Sequence, residues 1–229
     1  MMEAIVLAGG FGTRLRQVVP DLPKPMAPVA GRPFLEILLS SLAGHGFTRV
    51  VLSLGFMAEK IIEHFGDTYL GMELVYEVES QPLGTGGAIR AALARCVDDH
   101  AFIFNGDTYL DLEVDALEKI WLATRHPVIV VREVPDTARF GKIKMCDGQV
   151  IAFEEKGAAG PGLINAGCYV LPKDALDDFS LGQSFSLETE FFIKYLHRSR
   201  FNGFVTHGRF IDIGVPEDYE LAQTVLAEL

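Results

Sequence analysis

Short apolar segments alternate with helical patterns through the first part of the chain. Segments of this kind predict strands that are buried on both faces, at residues 4–8, 49–54, 73–78, 101–104 and 128–134. Proline and glycine boundaries and apolar residues three and four apart predict helices at residues 33–42, 58–65, 88–95 and 113–124. This order predicts an α/β fold with a Rossmann-like, doubly wound, mostly parallel sheet and right-handed crossovers. Ligands then bind at the carboxyl ends of the strands.

The second half of the chain departs from this alternation. The segments 141–145 and 150–154 flank Asp147-Gly148, a pair typical of hairpin turns, and predict a small antiparallel insertion. The apolar run 163–171 is interrupted by Asn165 and Gly167, which indicates close approach by a ligand or another backbone. The remaining predicted elements are a helix from 186 to about 197, strands at 204–207 and 210–213, and a last helix to 229.

Composition narrows the class of protein. The chain has 229 residues, of which 49% are hydrophobic, and a formal net charge of −11. This length supports one globular domain with a substantial core. The acidic balance argues against non-specific binding to nucleic acid or anionic membranes. The three cysteines lack paired spacing and no signal segment precedes the first strand, so we expect a cytoplasmic protein with reduced thiols.

The first predicted strand opens into a glycine-rich loop, LAGGFGTRL at residues 7–15. Glycine lets backbone N–H groups approach a ligand closely, so such a loop can hold an anion. Arg14 and Lys24 add two cations beside it. A tight turn with two surface cations is the alternative. The Walker and dinucleotide patterns are excluded, because Thr13-Arg14 follows Gly12 and Leu15 replaces the third glycine.

Further polar motifs follow other predicted strands. The segment ESQPLGTGG at 79–87 is either a plain connection capped by Thr85 or a loop that lies flat against a nucleobase. Asp107 closes Asn-Gly-Asp after the fourth strand, where a hard oxygen ligand suits Mg²⁺. Asp111 is expected to be exposed. Asp212 lies among isoleucine and phenylalanine, where an unpaired carboxylate is costly, so it should have a partner such as a metal.

Taken together, these motifs resemble the signature of the sugar-1-phosphate nucleotidylyltransferases, from the first strand to Asp-Ile-Gly at 212–214. The resemblance implies the nucleotide-diphospho-sugar transferase type of fold in a single domain, with a nucleotide-binding part at about 1–110 and a sugar-binding part at about 111–229. It also implies transfer of a nucleotidyl group from a nucleoside triphosphate to a sugar 1-phosphate, with release of pyrophosphate.

The resemblance assigns roles to individual residues. Arg14, Lys24 and Asp107 would be catalytic, with Arg14 at the departing pyrophosphate and Lys24 at the α-phosphate. Asp107 and Asp212 would hold Mg²⁺. The residues implied to bind the nucleotide are Leu7, Ala8, Gly9, Gly10, Gly12, Thr13, Glu79, Pro82, Gly84, Thr85 and Gly86. Those implied to bind the sugar phosphate are Gly106, Glu155, Lys156, Asn165, Gly167 and Glu188. For Glu188, a charge that complements a helix N-terminus is the alternative.

Separate features of the sequence indicate which base and which sugar the protein uses. A carboxylate at Glu79 can accept from both N1–H and the N2 amine of guanine, which favours GTP over UTP or dTTP. The segments 19–29, 82–87 and 210–219 resemble those of the D-glycero-α-D-manno-heptose 1-phosphate guanylyltransferases, which implies GDP-heptose as product. A mannose- or glucose-1-phosphate nucleotidylyltransferase using GTP, UTP or dTTP is the alternative, followed by a catalytically silent nucleotide-sugar sensor. A homodimer is compatible with the sequence.

Overall fold

Strands and helices alternate through the first half of the chain in the computed structural model, which describes residues 2–10, 15, 19–154, 157 and 159–228. In chain order the strands are β1 (Glu3–Leu7), β2 (Pro28–Val29), β3 (Arg32–Pro33), β4 (Arg49–Leu54), β5 (Thr68–Tyr69), β6 (Met72–Val78), β7 (His100–Asn105), β8 (Thr108–Leu110), β9 (Val128–Val134), β10 (Lys142–Cys146), β11 (Gln149–Phe153), β12 (Gly162–Pro172), β13 (Asn202–Val205) and β14 (Phe210–Asp212). The helices are α1 (Phe34–Gly44), α2 (Ala58–Phe65), α3 (Gly84–Leu93), α4 (Val114–Thr124), α5 (Ile193–Tyr195) and α6 (Pro216–Val225). A 3₁₀ turn spans Lys24–Met26, and a π-helical segment, Leu187–Phe192, leads into α5.

One mixed sheet of ten strands forms the centre of the fold, in the order β10-β11-β13-β9-β12-β7-β1-β4-β6-β5. The strands β7, β1, β4 and β6 are parallel neighbours. β12 lies antiparallel between β7 and β9, so that the antiparallel part of the sheet is larger than the predicted hairpin insertion. The α/β class and the mixed sheet are confirmed. The direction of β12 is set by its pairing with distant strands and has no local signal in the sequence.

The two faces of the sheet are covered by different helices. Along β1, Ala4 and Val6 belong to a core shared with α1, α2 and α4, whereas Ile5 belongs to a core shared with α3 and the aromatic residues after 185. Side chains alternate between the faces of a strand, so one apolar strand contributes to both cores. The continuous apolar character of β1 is therefore explained by burial on both sides.

A smaller third core lies beside the sheet. It joins the two-stranded ladder of β8 and β14 to α6, and its buried members include Tyr109, Ile211 and Ile213. Their neighbours along the strands, Leu110 and Phe210, pack in the core shared with α1, α2 and α4 instead. The third core thereby fixes the short strand that carries Asp212.

One buried ion pair closes the amino-terminal edge of the parallel strands. Glu3, on β1, is 1% exposed, and its carboxylate accepts from the guanidinium of Arg49 at 2.7 Å. The same carboxylate accepts from the backbone N–H groups of Val97 and Asp98, at 2.9 and 2.6 Å. Glu3 thus ties the start of β1 to β4 and to the segment before β7.

Several predicted elements agree with the structure and one helix does not. The hairpin is confirmed, with Asp147 and Gly148 both at positive φ as a type I′ turn requires. Trp121 is buried in the core. The prediction of a helix starting at residue 88 is wrong, because α3 begins at Gly84. The first turn of α3 contains three glycines, which have low helix propensity, so the sequence pattern does not predict this turn as helical. Among the described residues, no helix has the length and apolar character needed to span a membrane.

Candidate active site

A cavity of about 440 Å³ lies at the carboxyl ends of the parallel strands, as the topology predicts. We call it the first cavity. Its walls come from the segments that follow β1, β4, β6 and β7. The lining residues that the sequence predicts for the site are Leu7, Ala8, Gly9, Gly10, Lys24, Glu79, Pro82, Gly84, Thr85, Gly106 and Asp107. Phe56, Gln81 and Asn105 also line it and were not predicted.

Close backbone packing explains the glycines at the floor of the first cavity. A Cβ on Gly9 would lie 3.2 Å from the backbone N of Gly55, and a Cβ on Gly106 would lie 2.6 Å from the carbonyl O of Leu7. Gly106 N also donates to Leu7 O at 2.9 Å. Gly106 therefore lies in the first cavity, although the resemblance implied contact with the sugar phosphate. Residues 11–14, which include Gly12, Thr13 and Arg14, lie outside the described residues.

Glu79 lies at the end of β6, where its carboxylate Oε2 accepts from the backbone N–H of Leu83 at 3.0 Å. Burial raises the pKa of Glu79, and the Leu83 N–H opposes that rise. The carboxylate thus turns into the first cavity while it holds the bend that contains Pro82. Its second oxygen, Oε1, lies 3.4 Å from the position of a Cβ built on Gly9.

Lys24, Asp107 and Asp212 meet at one edge of the first cavity. Lys24 Nζ donates to Asp107 Oδ2 at 2.5 Å, and the Lys24 side chain is only 10% exposed. Burial raises the pKa of Asp212, the negative charge of Asp107 raises it further, and the ammonium of Lys24 lowers it. Two carboxylates and one cation are therefore within electrostatic range of each other.

Strand pairing brings the two aspartates together across a long stretch of sequence. β14 pairs antiparallel with β8, in a register that sets Asp212 opposite Thr108. Ile213 N also donates to the backbone O of Asp107 at 2.9 Å. Gly214 N donates to Asp212 Oδ1 at 2.7 Å, which orients that carboxylate.

The donor set fits a hard divalent ion that takes most of its ligands from elsewhere. No group of three or more His, Cys, Asp or Glu side chains suited to a metal occurs among the residues described. Asp107 and Asp212 supply two carboxylates, and the raised pKa of Asp212 reflects in part the repulsion between them. Mg²⁺ typically takes one or two carboxylates together with waters and phosphate oxygens. The pair therefore fits the predicted Mg²⁺.

A second cavity, of about 730 Å³, adjoins the first. Asn105 lines both, and Asp212 lines the second while Asp107 lines the first. Three residues predicted for the sugar phosphate line the second cavity, namely Asn165, Gly167 and Glu188. Glu155 and Lys156 lie outside the described residues. The sequence did not single out Tyr169, Ser186 or Lys142, which also line it; no local motif marks Lys142.

The interruption in β12 has a structural cause. Gly167 has a φ of +72°, and a Cβ there would lie 2.6 Å from Asn105 Nδ2. Asn165 accepts from Gly167 N at 2.9 Å and donates to the hydroxyl of Tyr169 at 2.7 Å. The Asn-Ala-Gly motif thus lets β12 pass close to Asn105, at the wall that the two cavities share.

Glu188 lies in the first turn of the π-helical segment and is held from two sides. Its Oε2 accepts from the hydroxyl of Thr85 at 2.8 Å and from the hydroxyl of Ser186 at 3.0 Å. Ser186 is the N-cap residue and accepts from Thr189 N at 3.2 Å. Thr85 does not cap α3, whose N-cap residue is Leu83, so the capping role considered for Thr85 is wrong.

Gly86 is buried behind the cavity wall. A Cβ on Gly86 would lie 2.2 Å from the ring of Phe185, and its backbone N donates to Phe185 O at 3.0 Å. Gly86 is absent from the described lining of the first cavity. Packing against Phe185 therefore accounts for this glycine, and a nucleotide contact by Gly86 stays a prediction.

We expect Gly86→Ala to lower the free energy of unfolding by about 1–3 kcal/mol, because the added methyl group would overlap a buried ring. Gly44→Ala is the matched control: it is also helical, and a Cβ there meets nothing within 4 Å. Without a clash, alanine is favoured over glycine in a helix by about 0.5–1 kcal/mol. Urea unfolding of both variants checks this, and equal stability of the two would contradict it.

The chain is similar to proteins of known name over nearly its whole length. A family model described as nucleotidyl transferase matches residues 3–228. The D-glycero-alpha-D-manno-heptose 1-phosphate guanylyltransferase of Aneurinibacillus thermoaerophilus is 39% identical over 98% of both chains. The protein of the same name from Campylobacter jejuni is 41% identical over 95% of this chain and 97% of its own. The crystal structure of HddC from Yersinia pseudotuberculosis complexed with GMP-PN has a TM-score of 0.88 at 37% identity, covering 99% of this chain and 100% of that one.

Proposed function

The chain belongs to the nucleotidyl transferase family, and we propose that it transfers GMP from GTP to D-glycero-α-D-manno-heptose 1-phosphate, giving GDP-heptose and pyrophosphate. The sequence motifs had predicted this family, which the family match confirms. The proposal of GTP and heptose draws support from the names of the two bacterial relatives and from the GMP-PN complex of HddC.

One structural observation carries the proposed reaction. Asp107 lines the first cavity, Asp212 lines the second, and Lys24 is paired with Asp107 where the two cavities meet. Two phosphorylated substrates, one in each cavity, would bring their phosphates to this junction. A site that joins them needs positive charge there, because two phosphates repel each other.

The proposed reaction requires that the two substrates are positioned correctly and that the charge of the transition state is stabilised. An oxygen of the sugar phosphate forms a bond to the α-phosphorus of GTP while the bond from that phosphorus to pyrophosphate breaks. The attacking phosphate is already ionised at neutral pH, so no general base is needed. Catalysis then rests on alignment of the reactants and on preorganised charges.

The residues take separate parts in this proposal. Lys24 would place its ammonium against the α-phosphate, and Asp107 and Asp212 would hold Mg²⁺. When bound, Mg²⁺ would offset the repulsion between the two phosphates as a Lewis acid. Arg14, at the pyrophosphate, and Lys156, at the sugar phosphate, stay predictions from the resemblance.

The choice of base is proposed to rest on Glu79. Its carboxylate offers acceptors only, which matches the N1–H and N2 amine donors of guanine. Its side chain is half-buried, which removes water from the carboxylate and raises its pKa, so hydrogen bonds from donors of this kind stabilise it. The bases of UTP and dTTP offer one N–H donor flanked by two carbonyl groups. The oxygens of these carbonyl groups would be repelled by the carboxylate of Glu79.

A substrate panel tests the proposed function. Pyrophosphate release is measured with GTP, UTP, dTTP, ATP and CTP, each crossed with the 1-phosphates of D-glycero-D-manno-heptose, mannose and glucose. We expect the highest kcat/KM for GTP with the heptose 1-phosphate. A higher value with mannose 1-phosphate would favour the second candidate, which is supported by the 36% identity to the mannose-1-phosphate guanylyltransferase of Mycobacterium tuberculosis over 95% of this chain and 62% of that protein. No release with any pair would refute nucleotidyl transfer.

Glu79→Gln tests the assignment of the base. Glutamine keeps an acceptor for Leu83 N–H but turns an amide donor toward one guanine donor. We expect kcat/KM for GTP to fall about 10- to 100-fold, since a hydrogen bond to a charged group contributes about 1.5–3 kcal/mol. The value for UTP or dTTP should fall less, so the preference for GTP narrows.

Glu77→Gln is the matched control for this substitution. Glu77 lies two residues earlier on β6, contacts Arg95 at 3.6 Å and does not line either cavity among the described residues. Its kinetic constants should match those of the unmodified protein. If the ratio of kcat/KM for GTP to that for UTP is unchanged in Glu79→Gln, Glu79 does not determine the preference for guanine.

A further inference from the structure

The hydroxyl of Thr85 connects the two cavities. Thr85 lines the first cavity, and Glu188, its hydrogen-bond partner at 2.8 Å, lines the second. Thr85 Oγ1 also accepts from the backbone N–H of Leu187 at 2.9 Å. One side chain on the nucleotide side therefore fixes both the carboxylate and the backbone at the start of the π-helical segment.

The hydrogen-bonding capacity of a hydroxyl limits what else Thr85 can do. A hydroxyl has one proton to donate and two acceptor positions. Its proton goes to Glu188 Oε2, and one acceptor position is taken by Leu187 N–H. No proton is left for a phosphate oxygen or a base carbonyl. Donation of a hydrogen bond from the Thr85 hydroxyl to the nucleotide is therefore at odds with its bonding.

The carboxylate of Glu188 is anchored on one side only. Oε2 accepts from Thr85 and from Ser186, whereas Oε1 has no hydrogen-bond partner in the part of the chain that the structure describes. A carboxylate held in this way keeps one oxygen in a fixed direction at the wall of the second cavity. Such an oxygen accepts from donors, and a sugar supplies hydroxyl donors.

The backbone around this contact is also joined. Gly86 N donates to Phe185 O and Phe185 N donates to Leu83 O, both at 3.0 Å. A Cβ on Gly84 would lie 2.6 Å from the same Phe185 O. The segment 83–86 and the segment 185–188 are therefore joined through their backbones, and the hydroxyl of Thr85 is the side-chain part of that connection.

We propose that Thr85 is a positioning residue for the sugar: it orients Glu188 so that Oε1 accepts from a sugar hydroxyl in the second cavity. This rests on the proposed function, since it assumes a sugar 1-phosphate as the second substrate. A residue of the first cavity thereby affects the affinity for the sugar 1-phosphate bound in the second cavity.

Thr85→Val tests the proposal, because valine keeps the shape of threonine and removes the hydroxyl. We expect KM for the sugar 1-phosphate to rise about 5- to 30-fold, while KM for GTP changes less than about twofold. Thr85→Ser keeps the hydroxyl and should restore a KM for the sugar within about twofold of the unmodified value. A merely structural role would lower the melting temperature and shift both KM values together.

A second variant examines the connection itself. Glu188→Gln should raise KM for the sugar 1-phosphate, and adding Thr85→Val should raise it little further, because both changes act on the same hydrogen bond. Independent effects that multiply would overturn the proposal. If Thr85→Val does not fold, Thr85→Ala removes the same hydroxyl with a smaller side chain, and an unchanged KM for the sugar there would overturn the proposal.

The two proposals fail in different ways. A rise in KM for GTP with an unchanged KM for the sugar in Thr85→Val would make Thr85 a nucleotide contact and overturn the positioning role, while the proposed reaction would stand. If the unmodified protein releases no pyrophosphate in the substrate panel, the proposed function itself is wrong.

Discussion

Asp107→Asn will lower Mg²⁺-dependent turnover by about two to three orders of magnitude, which is typical when a preorganised charge at the reacting groups is lost. Asp107 is the residue through which the junction of the two cavities is organised, since it accepts from Lys24 and lies beside Asp212. Asparagine keeps the shape but removes one of the two negative charges that would hold the metal. It also leaves Lys24, at 10% exposure, without its carboxylate partner. Pyrophosphate release measured over a range of Mg²⁺ concentrations checks this.

The matched control for this substitution is Asp111→Asn. Asp111 is exposed, as the sequence predicts, and lines neither cavity among the described residues. Asp111→Asn makes the same chemical change four positions later in the chain. The turnover of this variant should stay within about twofold of that of the unmodified protein. Near-full Mg²⁺-dependent turnover in Asp107→Asn would show that Asp107 does not hold the metal.

Glu3→Ala should lower the free energy of unfolding by about 3–5 kcal/mol, the range for breaking a buried ion pair by removal of one partner. The Glu3 side chain is fully buried. Its loss removes the buried carboxylate partner of Arg49, whose guanidinium keeps only the exposed Glu73 and the backbone O of Arg95. It also removes an acceptor of the backbone N–H groups of Val97 and Asp98. Each buried donor left without an acceptor adds to the cost. Chemical unfolding followed by circular dichroism measures the change. A fall of this size is a large part of the stability of an ordinary domain.

Glu73→Ala is the control for the same guanidinium. Glu73 pairs with Arg49 at 3.0 Å, but its side chain is 60% exposed. Water screens this pair, so we expect a loss of about 1 kcal/mol or less. Equal losses from Glu3→Ala and Glu73→Ala would show that burial does not decide the contribution of this pair.

The elements nearest the first cavity were predictable because their residues carry strong local signals. β1, β4 and β7 are apolar strands buried on both faces, and the polar residues that follow each strand are necessarily collected at one edge of a parallel sheet. Asp107 could be placed at that edge from the apolar run before it. Asp212 could be suspected from the cost of an isolated charge among apolar neighbours.

The second cavity was harder to predict because distant segments build it. The hydroxyl of Thr85 and the carboxylate of Glu188 are joined by packing of Phe185 against Gly86, and nothing near either residue in the chain signals that contact. Sequence resemblance could only assign the two residues to separate substrates. Lys142 was missed for a similar reason, since it enters the cavity through pairing of β10 with β12.

The antiparallel course of β12 also limits how the wall shared by the two cavities can change. β7 and β12 are adjacent strands, and Asn105 and Gly167 face each other at the shared wall. The spacing of these two strands, about 4.8 Å, is kept constant by backbone hydrogen bonds. Widening the second cavity at this wall would therefore break part of the sheet. Other walls of the second cavity come from the β10–β11 hairpin and the π-helical segment, so we expect a change in the size of the accepted sugar to arise there. Exchange of that hairpin between relatives is therefore the change most suited to altering the sugar that is accepted, with the reaction at the junction preserved.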